Sequence, residues 1–259
     1  MTMPPRCALV YFSQTGNTKK VAERIHGGLS AAGVATELIP MKSAKNQKIK
    51  NSDIIGIGTP VFFYREPLNV ERFIKNLPSL KNRFAFVFVT YGGHKSNSIE
   101  RMAIALRQKG ATVLGDFSAL GYDTFQPWDG MEIAKGHPDV KELKAAEVFG
   151  RAIAEKYAKI KKGERVTLPR YKIKLDFWLP VSMFTLDLAK RTMLPKKKIN
   201  KSKCNQCERC AKNCPTDNIT MNPYPTLGND CIYCYFCEKV CTKKAIECRW
   251  SPAFRILKI

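Results

Sequence analysis

The residues of this chain best suited to chemistry are its ten cysteines, and they are unevenly placed. Cys7 stands alone near the start, and the other nine fall between Cys204 and Cys248. Eight of them form two runs of one pattern, C-x2-C-x2-C-x3-C. The first is CNQCERCAKNC, with Cys204, Cys207, Cys210 and Cys214; the second is CIYCYFCEKVC, with Cys231, Cys234, Cys237 and Cys241. One fixed interval separates each cysteine of the first run from its counterpart in the second, and Ile219 recurs as Ile246 at the same interval. Such a repeat predicts two similar halves related by a pseudo-twofold axis. Chemically, a cubane iron–sulfur cluster needs four soft thiolates converging on a compact core, and three cysteines at two-residue gaps can wrap one. Zinc sites more usually combine two well-separated C-x2-C pairs, or cysteine with histidine. Cys7 and Cys248 are left over; both lie in strand-like runs and read as buried apolar residues.

The two runs closely resemble the bacterial two-cluster ferredoxins over about 55 residues. That resemblance implies two 4Fe-4S clusters with crossed ligation, the fourth cysteine of each run serving the other cluster. One cluster would take Cys204, Cys207, Cys210 and Cys241, the other Cys231, Cys234, Cys237 and Cys214. Pro215 follows Cys214 as in the family, whereas Thr242 replaces the proline expected after Cys241; this departure removes no ligand. Ile232, Tyr233, Tyr235 and Phe236 lie between the ligands of the second run, where apolar groups would exclude water and tune the potential.

A second chemical signature lies at the other end of the chain. The apolar run Cys7–Phe12 is followed by Ser13, Gln14, Thr15, Gly16, Asn17 and Thr18, just ahead of a helical pattern. Hydroxyls and backbone amides at a helix start make an anion site, and glycine lets the backbone come close. The loop has no lysine, which argues against a nucleoside triphosphatase loop and suits a phosphate monoester. The motif S-x-T-G-N-T resembles the phosphate loop of flavodoxins, which bind FMN. Two more loops follow strand ends at the same predicted edge: Thr59, Pro60, Val61, Phe62, Phe63 and Tyr64, then Thr90, Tyr91, Gly92 and Gly93. In flavodoxin-like proteins these loops flank the isoalloxazine ring, so the resemblance implies that an aromatic among Phe62, Phe63, Tyr64 and Tyr91 stacks on it. Each of these aromatics could equally be packing. Gly56 and Gly58 begin a G-x-G-x-x-G pattern, but Val61 stands where its third glycine belongs. No nicotinamide site, nucleophile–base pair or paired carboxylates are evident. His26, His94 and His137 are scattered, and His94 reads as an exposed loop residue.

These loops need elements to hold them. Strand patterns at Cys7–Phe12, Val34–Ile39, Asp53–Gly58, Phe84–Thr90 and Ala111–Leu120 alternate with helical ones at Asn17–Ala32, Leu68–Asn76, Ser98–Lys109 and Val140–Ile160. FAFVFVT at Phe84–Thr90 is continuously apolar, as a strand buried on both faces should be. This order predicts an α/β doubly wound, five-stranded parallel sheet, flavodoxin-like, with ligands beyond the carboxyl ends of the strands. A small α+β two-cluster ferredoxin domain would follow. The expected divisions are 1–162 for the FMN-binding domain, 163–199 for a basic, partly apolar linker, and 200–259 for the ferredoxin domain.

The chain has 259 residues and a formal charge of +22. With FMN and two clusters at roughly −2 each it would remain at about +16. Lys156 to Lys203 alone holds fifteen basic and three acidic residues. Such a field suits acidic partners and does not by itself choose among them. The expectation is docking of acidic redox proteins: a ferredoxin, a flavodoxin or an acceptor enzyme. A competing use is peripheral contact of Pro180–Leu194 with an anionic membrane. Nucleic acid is not expected, because basic and aromatic residues interleave only in part. Charged residues interrupt every apolar stretch well short of the roughly 20 residues that a spanning helix needs, so none is expected. The first apolar run is too short for a signal sequence. Cysteines gathered for metal rather than spread for disulfides suggest a reduced, cytoplasmic setting. The whole resembles flavodoxin–ferredoxin fusions among electron-transfer proteins of anaerobes. It implies a relay of low-potential electrons between FMN, two clusters and partner enzymes. The alternative is a flavin-dependent oxidoreductase that reduces a small molecule over FMN, with the clusters as feed and Gly121–Gly136 as a cover.

Overall fold

The computed structural model describes residues 3–125, 131–175 and 194–250. Five parallel strands, β1 (Arg6–Tyr11), β2 (Ala35–Pro40), β3 (Ile54–Pro60), β4 (Phe84–Tyr91) and β5 (Thr112–Leu120), form one sheet in the order β2-β1-β3-β4-β5. This is the flavodoxin-like doubly wound sheet. Strand β4 shows why its sequence is apolar throughout. Phe86 and Phe88 feed the core on one face, and Ala85, Val87 and Val89 feed the core on the other. Beside it, Gly56 and Gly58 leave room for those phenylalanines. A Cβ on Gly56 would lie 2.4 Å from the Phe86 ring, and one on Gly58 1.9 Å from the Phe88 ring. The two glycines that begin a dinucleotide-like pattern are therefore packing residues.

Helices α1 (Asn17–Ala31) and α5 (Val140–Lys161) cover the Phe86 face. Val21, Ile25 and Leu29 of α1 are fully buried there, at the helical spacing the sequence shows. Asp139 caps α5 by accepting from Glu142 N at 2.9 Å, and the Glu142 carboxylate accepts in return from Asp139 N at 2.8 Å. Helices α3 (Leu68–Lys75) and α4 (Ser98–Gln108) cover the opposite face. A short helix α2 (Asn46–Lys50), which the periodicity did not reveal, adds Ile49 to that core.

The small domain holds β6 (Lys197–Ile199), α6 (Arg209–Lys212), β7 (Ile219–Asn222), β8 (Tyr224–Leu227), α7 (Phe236–Lys239) and β9 (Ile246–Cys248). Antiparallel pairs β6·β9 and β7·β8 connect its halves. The repeat extends to the backbone. Gln206 and Tyr233, Glu208 and Tyr235, and Asp217 and Lys244 are matching pairs, and all six have left-handed φ, from 50° at Lys244 to 59° at Glu208. Because β6 is integral to this domain, 197–199 lie in it rather than in the linker. The described part of the linker is also not a free tether. Tyr171 donates to Asp116 Oδ1 at 2.8 Å, Arg107 stacks over the Tyr171 ring at 5.0 Å, and the Asn97 amide bonds both backbone groups of Lys174. The apolar stretch Phe177–Leu194 lies outside the described residues except for Leu194.

The two domains meet at the carboxyl edge of the sheet. Ile232, 4% exposed, joins the core of the large domain. Lys239 donates to Thr124 O at 3.2 Å, and Arg72 and Lys42 form ion pairs with Asp230 and Asp217. Among the described residues no helix is long and apolar enough to cross a membrane.

Candidate functional site

The loop between β1 and α1 is built as an anion cradle. Gly16 has φ +100°, a conformation that side chains disfavour, and nothing lies within 4 Å of where its Cβ would be. Its amide donates to Ser13 Oγ at 3.2 Å, which closes the turn. No side chain caps α1, so the remaining first-turn amides are available to a ligand. The Thr18 and Thr90 hydroxyls share a bond of 2.8 Å that ties this loop to the end of β4. Asn17 Nδ2 donates to Tyr122 O at 3.0 Å, tying it to the end of β5.

A cleft opens over these strand ends, enclosing about 880 Å³ with its solvent mouth included. Ser13, Gln14, Thr15, Asn17 and Thr18 line its floor, with Pro60, Val61, Phe62, Phe63, Thr90, Tyr91 and Gly92 around it. Gly16, Thr59, Tyr64 and Gly93, also expected there, stand outside the lining, each for a structural reason. Gly16 faces a neighbouring cavity. Thr59 is fully buried in β3 and donates to Pro60 O at 3.0 Å. Phe63 and Tyr64 occupy the two central positions of a tight turn closed by bonds between Phe62 and Arg65 of 2.9 and 3.2 Å. Both have positive φ, 50° and 64°, which sends the Tyr64 ring toward His94, 6.4 Å away. Gly93 is exposed beyond the loop, as is His94.

Two further walls complete the cleft. The first is Gly121–Phe125 at the end of β5. Asp123 lies so near Gly92 that a Cβ there would meet its carboxylate at 2.9 Å. Burial raises the Asp123 pKa, against the bond from Phe125 N and the charge of Lys239. This wall carries no motif; it is the start of the loop Gly121–Gly136 expected as a cover after the fifth strand. The second wall comes from the small domain: Tyr233, Cys234, Tyr235, Phe236 and Lys239. The Phe125 ring joins the two walls, at 5.3 Å from Phe63 and 6.1 Å from Tyr235.

The eight cysteines fall into two groups of four. Cys214, Cys231, Cys234 and Cys237 line one cavity, and Cys204, Cys207, Cys210 and Cys241 line another. Each set joins three cysteines of one run to the fourth of the other, the grouping that crossed ligation requires. A set of four sulfurs with no oxygen or imidazole ligand fits an iron–sulfur cluster. Backbone amides already point at the sulfurs: Asn218 N at Cys214 (3.3 Å), Ala245 N at Cys241 (3.1 Å) and Tyr233 N at Cys231 (3.4 Å). Burial raises the thiol pKa values of Cys210 and Cys234, and that of Cys237 to about 12, so binding a cluster must displace their protons. Cys7 and Cys248 are outside both groups, in β1 and β9.

Cys234 belongs to both sites. It lines the cleft and the cavity it shares with Cys214, Cys231 and Cys237. The Gln14 amide of the anion loop lies against it and favours its thiolate form. Gln14 Nε2 is buried with no hydrogen-bond partner of ordinary geometry, as expected of a group turned toward a ligand that accepts. The cleft therefore has the features that fit a flavin.

Comparison with known proteins agrees. Residues 8–126 match the flavodoxin domain family, and 197–220 match the 4Fe-4S binding domain family. An uncharacterized protein of Methanocaldococcus jannaschii is 30% identical over 142 residues, 53% of this chain and 89% of its own. A flavodoxin of Megasphaera elsdenii is 30% identical over 110 residues, 41% of this chain and 80% of its own. A solved flavodoxin from the domain Archaea superposes with a TM-score of 0.49 at 24% identity, over 59% of this chain and 99% of that one. Flavin and iron–sulfur chemistry together give the chain an electron-transfer role, and through its first domain it belongs to the flavodoxin family, here fused to a 4Fe-4S ferredoxin-type domain.

Proposed function

We propose that the chain relays electrons between FMN in the cleft and two 4Fe-4S clusters, and passes them to or from acidic redox proteins. One observation carries this reading: Cys234 lines both the flavin cleft and one four-cysteine cavity. A flavin can hold one or two electrons and each cluster moves one, so their union in one chain can split or join electron pairs. The protein's part is to hold and to exclude. The Ser13–Thr18 loop would hold the phosphate, and Phe62, Phe63 and Tyr91 would hold the ring. Tyr233, Tyr235 and Phe236 shield the cluster side from water. Those aromatics wall the cleft where a small-molecule oxidoreductase would need open space for substrate, which favours the carrier reading.

The far cluster site is the natural place for a partner. Cys207 is exposed there, as are Lys201, Lys203, Arg209, Lys243 and Lys244 around it. A basic rim of this kind steers an acidic protein toward docking. The site and its thiols suit a reducing compartment such as the cytoplasm. Membrane contact through Pro180–Leu194 falls almost wholly on residues outside those described.

The test is anaerobic purification with metal, sulfide and flavin analysis, followed by rapid reduction of the bound flavin. About eight irons and one FMN per chain are expected, with cluster bleaching that follows flavin reduction without a concentration dependence. Zinc in place of iron, FAD in place of FMN, or clusters that respond only through a diffusing mediator would overturn the reading.

A further inference from the structure

Resting on the two-cluster reading, we propose that the Lys197 ammonium makes the two cluster sites unequal. It raises the reduction potential of the site formed by Cys214, Cys231, Cys234 and Cys237 above that of its twin, so that an electron comes to rest beside the flavin cleft.

The argument begins with the repeat. Position 197 corresponds to Tyr224 in the repeat, so the twin site has no lysine in the matching strand. Lys197 opens β6, and its Nζ donates to Cys231 Sγ at 3.3 Å. It is held there by aromatic faces. Nζ lies 4.1 Å from the Tyr235 ring centre and 5.2 Å from that of Tyr233. Tyr235 is in turn anchored, its hydroxyl donating to Pro195 O at 2.8 Å, just ahead of Lys197 in the chain. The residues equivalent to Tyr233 and Tyr235 in the first half are Gln206 and Glu208, both exposed, which could form no such cage.

Each cluster gains one negative charge on accepting one electron. A cation in contact with a ligand sulfur stabilises the reduced form more than the oxidised one, which raises the potential. The twin cavity has Lys243 in its lining, but that side chain is exposed and its charge is screened by water. Asn218 and Ala245 make equivalent bonds to Cys214 and Cys241, and the Cys234 site has one further amide, Tyr233 N on Cys231 at 3.4 Å, which stays in place when Lys197 alone is changed. Burial distinguishes the sites in the opposite sense. The Cys234 site lies between the domains, and a low dielectric resists added negative charge. Without Lys197 this site would therefore be the harder one to reduce, so the lysine decides the order.

The test is a potentiometric titration followed by electron paramagnetic resonance on the full chain, with the two signals assigned through Cys214→Ala and Cys241→Ala variants. In wild-type protein the Cys234 site should be reduced first. Lys197→Met should lower its reduction equilibrium at least tenfold, which is about 59 mV for one electron. The twin should move less than twofold, and the order of reduction should invert. Lys197→Arg keeps the charge and should stay near wild type. Equal shifts at both sites, no shift at either, or an Arg variant that behaves like the Met variant would overturn the proposal. If Lys197→Met loses iron, Lys197→Gln, which keeps a donor without a charge, must show the same selective fall, and its failure to do so counts against the proposal. Wild-type protein with a single magnetic centre would instead overturn the two-cluster reading, a failure visible before any lysine is changed.

Discussion

The two halves of the small domain share their ligand spacing and their backbone turns but differ in the side chains between the ligands. In the first half, Asn205, Gln206, Glu208 and Arg209 separate or flank the cysteines, and all four are exposed. At the matching places of the second half stand Ile232, Tyr233, Tyr235 and Phe236. Ile232 and Tyr235 are buried, at 4% and 1% exposure, and Ile232 packs into the core of the other domain. One half is thus an interior wall of the flavin cleft and the other an outer face. The repeat preserves what a cluster needs locally, four sulfurs and a chain that can turn through left-handed φ between them. The residues between the sulfurs were free to diverge, and their divergence gives the domain an inside and an outside.

The largest break in this comparison comes from removing a ligand on each side. Cys234→Ala should cost about half of the ~8 irons expected for two clusters and reduce electron exchange between flavin and the remaining cluster by more than about 100-fold, since the interior site is the bridge. Cys207→Ala should cost as much iron yet leave exchange between flavin and the interior site intact. Iron analysis and rapid-mixing spectroscopy check both. Equal kinetic damage from the two variants would refute the inside–outside assignment.

Core truncation should separate the halves next. Ile232→Ala leaves a cavity in the large-domain core and should destabilise the folded chain by about 2–4 kcal/mol. Asn205→Ala, at the equivalent exposed position, should stay within about 0.5 kcal/mol. Denaturant unfolding of the cluster-loaded protein, followed by flavin fluorescence, measures both.

A smaller effect concerns the outer face. Replacing Lys201, Lys243 and Lys244 with glutamine should slow electron exchange with an acidic ferredoxin about tenfold at low salt and flatten its salt dependence. Internal electron transfer should be unchanged. A rate independent of both salt and substitution would place docking elsewhere, with the basic linker the next surface to test.

The smallest effect is a single hydrogen bond. Tyr235→Phe removes the bond to Pro195 O while keeping the ring, and should cost about 0.5–1.5 kcal/mol. Its counterpart Glu208→Gln, at an exposed site, should be close to neutral. Thermal melting distinguishes them.

What could be read from the sequence was whatever is encoded over short spans. The cysteine spacing points to thiolate-bound clusters because a cubane can be wrapped by sulfurs at such gaps. The S-x-T-G-N-T loop and the apolar β4 run carry their meaning within a few residues, since an anion cradle and a doubly buried strand are local structures. Five strands, their parallel order and the loops at one sheet edge followed from the alternation of patterns. Helix α2 was missed because so short a helix cannot show a period. The boundary of the linker is not legible in the sequence because a strand as short as β6 is defined by its partner β9, not by its own residues.

What only the tertiary structure decided was who meets whom across long separations. Nothing in the second cysteine run says that Cys234 will stand beside Gln14, in the first loop of the other domain. Nothing in a run of lysines says that Lys197 turns inward to a sulfur while Lys196 and Lys198 remain exposed. These facts depend on how two finished domains pack. That packing is settled by complementary apolar surfaces and a few fixed charges, whose positions exist only after each domain has folded. Spacing along the chain therefore specified the chemistry that each site could hold, and packing specified which site faces the cleft, because contact between distant segments leaves no periodic or short-range trace in the sequence.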